Sequence, residues 1–310
     1  MSAWTEPDWR ATTDAWIEER LAAAGHERLD QIDQVHVRPW ATVMRVPSTA
    51  GDVYFKANAA ALRFEASLVT LLAAQRPDCV PPLLAADLDR GWMLMGDAGT
   101  RLRELVEEER TLGRWLDVLP LYASVQLDMA ERVDELLTAG VPDLRLARLP
   151  ALADAMIDDL AALDADEISR TAEAMSEVRE DCARLASFGL PETIQHDDLH
   201  DGQVFVKDGR YLLLDWGDAV VSHPFFTLAV TLDGFIAWGV DDIENSEDTG
   251  PYLAAYLEPF AGYDRADLVA AATIARRLGW LCRAVNGHQD GTEGDEATLV
   301  RLRMFLDGRP

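Results

Sequence analysis

The sequence predicts an α+β chain in which an antiparallel sheet comes first, helices follow, and a single hairpin interrupts the helices. Three observations carry this. Between Gln31 and Met95, short β-branched and aromatic runs alternate with breaks containing Pro or Gly. After Gly96-Asp-Ala-Gly99 the apolar residues switch to helical spacing. Further on, Asp208-Gly209, a pair suited to a tight hairpin turn, separates two short apolar runs. Strands, then helices, is the pattern of segregated layers.

Taken in order, Thr13–Ala24 reads as a leading helix, with Trp16, Ile17 and Leu21 on one face and Gly25 as its stop. Val35–Val37, Thr42–Val46 and Val53–Ala57 form a meander broken at Pro39 and at Thr49-Ala-Gly-Asp52. Ala60–Ala74 is a helix. Val80–Ala86 and Trp92–Met95 bracket Asp89-Arg-Gly91 as a hairpin, completing five strands and one inserted helix. Helices are expected over Leu102–Glu109, Leu112–Ala139 and Leu149–Ala186, and again after Pro224. Gln203–Val206 and Tyr211–Asp215 make the later hairpin. Asp241–Asp248 and Asn286–Glu296 read as loops. The expected division is residues 1–96 and residues 97–310.

The chain has 310 residues, 49% hydrophobic and 27% charged, which suits a folded globular protein. No stretch is long and apolar enough for a membrane span, and the first residues lack the basic and apolar regions of a secretory signal, so a cytoplasmic protein is expected. Cys79, Cys182 and Cys282 are far apart, with no metal or redox spacing. A net charge of -27 argues against bulk attraction to nucleic acid or an anionic membrane. It would favour a cationic small molecule, although acidic surfaces more often serve solubility.

Of 28 basic residues, only Lys56 and Lys207 are lysines. Lys207 lies in Lys-Asp-Gly-Arg, where a solvated turn residue is expected. Lys56 sits inside a strand, where a compact ammonium differs physically from an arginine fork.

The later hairpin gathers the residues that carry chemistry. Asp198 lies on the loop leading into it, Gln203 offers an amide oxygen at its start, and Asp215 ends its second strand. Oxygen donors at two strand ends suit Mg²⁺ bridging two phosphates. Alternatively, His196, Asp197, Asp198, His200 and Asp201 could form the metal cluster of a phosphohydrolase.

The segments His196-Asp-Asp-Leu-His-Asp-Gly-Gln203 and Leu212-Leu-Leu-Asp-Trp-Gly-Asp218 resemble the aminoglycoside phosphotransferase family, which includes choline-kinase-like small-molecule kinases. The resemblance implies a bilobal protein-kinase-like fold and transfer of a phosphoryl group from ATP or GTP, with Mg²⁺, to a small-molecule hydroxyl acceptor, the expected substrates being cationic ones such as an aminoglycoside or amino sugar. It makes Asp198 the catalytic base, gives Gln203 and Asp215 the metal, and leaves His196 and His200 to support the loop. Lys56, braced by Glu65, would hold the nucleotide phosphates.

Two departures stand out. Arg38-Pro-Trp-Ala-Thr42 stands where the backbone amides of a Gly-rich loop would cover the phosphates, so Trp40, Ala41 and Thr42 are candidates for that job. Gln203 stands where the family has asparagine, one methylene longer. These departures motivate an alternative, a nucleotide-binding pseudokinase with a regulatory role. Met95, on the last strand before the helices, is placed against the nucleotide base. Asp197, Asp218, Trp238 and Trp280 are candidates for the acceptor, with Trp216 as a further stacking face.

Overall fold

The computed structural model describes residues 3–160, 165–290 and 295–307. Its first compact unit comprises Met1–Arg101 and Val204–Gly217; its second comprises Leu102–Gln203 and Asp218–Pro310. The chain therefore leaves the first unit after Arg101, later than the expected residue 96, and returns to it for the hairpin.

Helix α1 spans Pro7–Ala23, starting earlier than Thr13. Proline suits a first helical position because its φ is preset and its missing N–H would be unpaired there anyway. Thr13 lies inside the helix, its buried hydroxyl donating to the Trp9 carbonyl one turn back. Strands β1 (Asp33–Val37), β2 (Ala41–Ser48) and β3 (Gly51–Asn58) form the expected meander. Helix α2 (Phe64–Gln75) and strands β4 (Leu83–Asp87) and β5 (Trp92–Gly96) follow. The five strands form an antiparallel sheet in the order β1-β2-β3-β5-β4.

Alternation along β3 decides what the sheet does. Val53, Phe55 and Ala57 share one face and join Trp16, Met44 and Trp92 in a core under α1. Trp16, Phe55 and Trp92 meet edge to face, at centroid distances of 5.5 to 5.7 Å, each such contact contributing about 0.5–1.5 kcal/mol beyond burial. Lys56, being even-numbered, faces the other way.

Strand β6 (Thr100–Arg101) ends the first stretch of this unit. The second unit then opens with α3 (Leu102–Glu109), α4 (Trp115–Ala130), α5 (Val133–Thr138), α6 (Leu149–Asp159) and α7 (Ala165–Ser187). The expected Leu112–Ala139 helix is thus two helices, and so is Leu149–Ala186. Strand β7 (Thr193–Gln195) precedes the functional loop. Strands β8 (Val204–Lys207) and β9 (Arg210–Leu213) are the hairpin, with Asp208 at φ 51 and Gly209 at φ 73 in its turn. β8 also pairs with β6. Lys207 is no solvated turn residue, because its ammonium donates to the Asp97 carbonyl at 2.8 Å and to its carboxylate at 3.1 Å.

Strand β10 (Val220–Ser222) pairs with β7, a short ladder that the sequence reading missed. Helices α8 (Gly250–Leu257), α9 (Arg265–Asp290) and α10 (Asp295–Asp307) complete the second unit. The expected loop over Asn286–Glu296 is corrected: α9 runs on to Asp290, α10 begins at Asp295, and residues 291–294 lie outside the described residues. A buried glutamine organises this core. Gln126 on α4 donates to the Ile194 and Pro224 carbonyls and accepts from the Tyr256 hydroxyl. Among the described residues no helix is long and apolar enough to cross a membrane.

Candidate active site

In the first unit, the inward side of β3 brings Lys56 to Glu65 on α2. Lys56 Nζ lies 2.8 Å from Glu65 Oε1 and 2.6 Å from Asp215 Oδ1. Lys56 and Glu65 are both buried, whereas the Asp215 side chain is 54% exposed. Burial disfavours the charged ammonium, but Asp215 and Glu65 outweigh it and raise its pKa. Burial also raises the Glu65 carboxyl, against the pull of Lys56. Asn58, two residues along β3, donates to Glu65 Oε2 and fixes the carboxylate further. β9 ends at Leu213, short of the expected Asp215, which lies two residues beyond it in a left-handed conformation with φ 61. Three predicted residues therefore meet.

Other first-unit candidates fare unevenly. Trp40 is 37% exposed in the turn between β1 and β2. The buried Thr42 hydroxyl donates to the His36 carbonyl and accepts from Gln34. Met95 is buried on β5, paired with Tyr54 of β3 and Leu83 of β4. Trp216 is no stacking face, because it is fully buried and donates to the Leu213 carbonyl.

In the second unit, the loop after β7 is held from several sides. His196 is buried, its backbone N–H donating to the Tyr122 hydroxyl. Asp197 is also buried, in the left-handed region at φ 63. It accepts from Gln195 Nε2 at 2.9 Å and from Asn286 Nδ2 at 2.8 Å. Burial pushes its carboxyl up to about 6, with Arg283 and Asn286 working against the rise. Asn286 also donates to the Asp218 carbonyl.

Asp198 is ion-paired with Arg283 of α9 at 2.6 Å, and its other oxygen lies 3.3 Å from Gln203 Nε2. Burial raises the Asp198 carboxyl, but Arg283 and His200 prevail and hold it below the usual carboxylate range. Burial disfavours the charged His200 ring, yet Asp198 and Asp201 raise it to about 9. Asp201 is paired in turn with Arg103 of α3 at 2.8 Å. Asp197, Asp198 and Asp201 thus each meet a donor distant in sequence. Arg283, Asn286 and Arg103 are the residues missed: the two arginines are ordinary members of helices read in isolation, and Asn286 falls in the segment expected to be a loop.

Trp238 and Trp280 line a cavity of about 790 Å³ within this unit. Its α9 wall runs Thr273, Arg276, Arg277 and Trp280 along one helix face. Arg276 is paired with Asp233, and Arg277 with Glu177. Glu244 and Glu247, from the acidic loop, also line it. Arg283 follows Trp280 by one turn, so the cavity lies along the helix that touches Asp198.

The two expected metal-binding residues, one in each unit, both carry donors of the hard kind that magnesium takes. Asp215 and Gln203 are hard oxygen donors, and Gln203 presents its amide nitrogen to Asp198, leaving its oxygen on the other branch. Among the described residues no group of three or more His, Cys, Asp or Glu is placed to hold a metal. The phosphohydrolase reading therefore gains no support from the geometry.

A model of the phosphotransferase enzyme family matches residues 26–269. No curated protein matches in sequence. Solved structures similar in fold include the GDP and kanamycin complex of the aminoglycoside phosphotransferase APH(2")-IIia, at TM-score 0.62 and 14% identity, covering 96% of this chain and 97% of that one. A choline/ethanolamine kinase family protein from Mesorhizobium loti gives 0.61 and 15%, covering 95% of each. A choline kinase from Cryptosporidium parvum gives 0.66 and 10%, covering 96% and 94%. At these identities the likeness establishes the protein-kinase-like fold.

Proposed function

Because the chain belongs to the phosphotransferase enzyme family, we propose that it transfers the terminal phosphoryl group of ATP or GTP to a hydroxyl of a small polar molecule. The observation that carries this is Lys56, held between Glu65 and Asp215. A buried ammonium bound by two carboxylates is costly to maintain and suits a group that must receive phosphate oxygens.

In this reading Lys56 binds the nucleotide phosphates and Glu65 aims it. Asp198 accepts the proton of the acceptor hydroxyl as the new O–P bond forms and the bond to the departing nucleoside diphosphate breaks. Asp215 and Gln203 would hold Mg²⁺, which when bound neutralises phosphate charge. His196 and His200 keep the loop in shape. The turn at Trp40 lies toward the nucleotide, and Met95 toward its base.

The cavity lined by Trp238 and Trp280 is our acceptor site. Its volume suits a ligand of drug size, and the carboxylates of Glu244 and Glu247 suit an amine-bearing one such as an aminoglycoside or amino sugar. The cationic preference draws support from this cavity, with Asp197 and Asp218 as further acceptor-side carboxylates in this reading. No observation favours the pseudokinase reading, since Lys56, Glu65 and Asp215 keep their mutual geometry.

The experiment is a transfer screen of aminoglycosides, hexosamines and amino alcohols with ATP and GTP, read as a mass gain of one phosphoryl group. Product from the wild type and none from Asp198→Ala supports the reading. Equal product from both, or none from the wild type, removes it.

A further inference from the structure

Helix α9 reaches Asp198 through a side chain to which the proposed chemistry has given no role. Arg283, with a side chain 12% exposed, donates from Nη2 to Asp198 Oδ1 at 2.6 Å and from Nη1 to the Asp197 carbonyl. One turn on, Asn286 donates to Asp197 Oδ2 and to the Asp218 carbonyl. The helix cannot slide to another register. At Gly279, one turn before Arg283, a methyl group would stand 2.4 Å from the Phe226 carbonyl oxygen and 2.7 Å from Ala229 Cβ. On the other side of the carboxylate, Asp198 Oδ2 lies 3.3 Å from Gln203 Nε2 and 3.6 Å from His200 Nε2. The two carboxylate oxygens are therefore unequal.

We propose that Arg283 is a positioning residue for phosphoryl transfer: its guanidinium bridges the Asp197 carbonyl and Asp198 Oδ1 and leaves Oδ2 as the oxygen that takes the acceptor's proton. This rests on the function proposed above. A planar fork joined to two acceptors fixes the rotation of the carboxylate, which a compact ammonium cannot do. A cation beside a base also weakens it. Phosphoryl transfer tolerates that, because in a loose transition state orientation of the hydroxyl counts for more than proton affinity. In the step, the hydroxyl proton passes to Asp198 Oδ2 and the acceptor oxygen bonds to the γ-phosphorus. The bridging P–O bond breaks, its electron pair leaving with the nucleoside diphosphate, and Arg283 neither gains nor loses a proton.

The simplest competing role is neutralisation of a buried charge, so the test must separate fold from turnover. It uses the whole chain with Mg²⁺ and ATP or GTP, with water as acceptor in slow nucleotide hydrolysis and with any hydroxyl compound found to accept phosphate. Arg283→Met should lower kcat about 100-fold, with the nucleotide KM changed less than about threefold. Arg283→Lys, which keeps charge without the fork, should recover no more than about a tenth of wild-type kcat. In an Asp198→Asn background, adding Arg283→Met should cost nothing further, since both act on one step. Wild-type kcat in Arg283→Met, full recovery in Arg283→Lys, or equal losses in both backgrounds would each overturn the proposal. If Arg283→Met shows no cooperative melt, the lysine variant decides. No turnover by the wild type with any acceptor overturns the function and this inference together, whereas wild-type turnover matched by Arg283→Met overturns the inference alone.

Discussion

Lys56 Nζ lies 2.7 Å from Glu65 Oε2, a contact between β3 and α2 in which both partners are buried. Breaking such a pair leaves an uncompensated charge, so Lys56→Met should destabilise the chain by about 3–5 kcal/mol. Glu65→Gln is gentler: the Asn58 hydrogen bond can persist and Asp215 still holds the ammonium. We expect it to melt near the wild type yet bind nucleotide several-fold more weakly, as titration calorimetry would measure. Unchanged affinity would remove Glu65 from the nucleotide site.

Gln203 separates metal binding from base positioning. Its Nε2 faces Asp198 at 3.3 Å, and its oxygen is the proposed metal donor. Gln203→Ala should raise the Mg²⁺ concentration for half-maximal turnover about 10–100-fold. Metal-free nucleotide affinity should stay constant. A metal titration of turnover reads this directly, and an unchanged midpoint would assign the metal elsewhere.

Gly279 sets the register of α9. A Cβ there would lie 2.4 Å from a backbone oxygen that cannot swing aside, so Gly279→Ala should cost about 1–3 kcal/mol from overpacking. The melting temperature should fall, and kcat with it, because Arg283 and Asn286 ride on the same helix. A variant that melts like the wild type would show that the contact relaxes freely.

His223 gives the fold a pH dependence of its own. It is fully buried against Phe225 and Phe226, its Nδ1 accepting from the Phe225 N–H. Burial lowers its pKa from 6.5 to about 3. The folded pKa is thus below the unfolded one, so the stabilisation is fully present above pH 6.5 and is lost as pH falls toward about 3. The slope is about 1.4 kcal/mol per pH unit. His223→Asn, which keeps an acceptor for Phe225, should lose less stability than the wild type between pH 6.5 and 5. Parallel denaturation curves for the two proteins would refute the assignment.

Periodicity made the strands, the Asp208-Gly209 turn and most helices legible, because each is encoded within a dozen residues. Lys56 was legible for a different reason: in a chain that otherwise uses arginine, a lysine inside a strand stands out. What escaped was the partner of each charge. Arg283 is one arginine among several on α9, and nothing local in the sequence says that this helix packs against the Asp198 loop. Lys207 misled for the same reason, since Asp97 is far away in sequence.

The hairpin Val204–Leu213 pairs with β6, and Asp215 just beyond it completes the Lys56 pair. A ribosome that has delivered residues 1–101 has therefore released a sheet whose buried Lys56 and Glu65 still lack their third member. The first unit cannot close until Gly217 has emerged, after much of the second has already been synthesised. In this protein the order of synthesis and the order of completion run opposite ways, and nascent chains stalled before residue 204 should display an early unit that is folded in its sheet and unfinished at its charge centre.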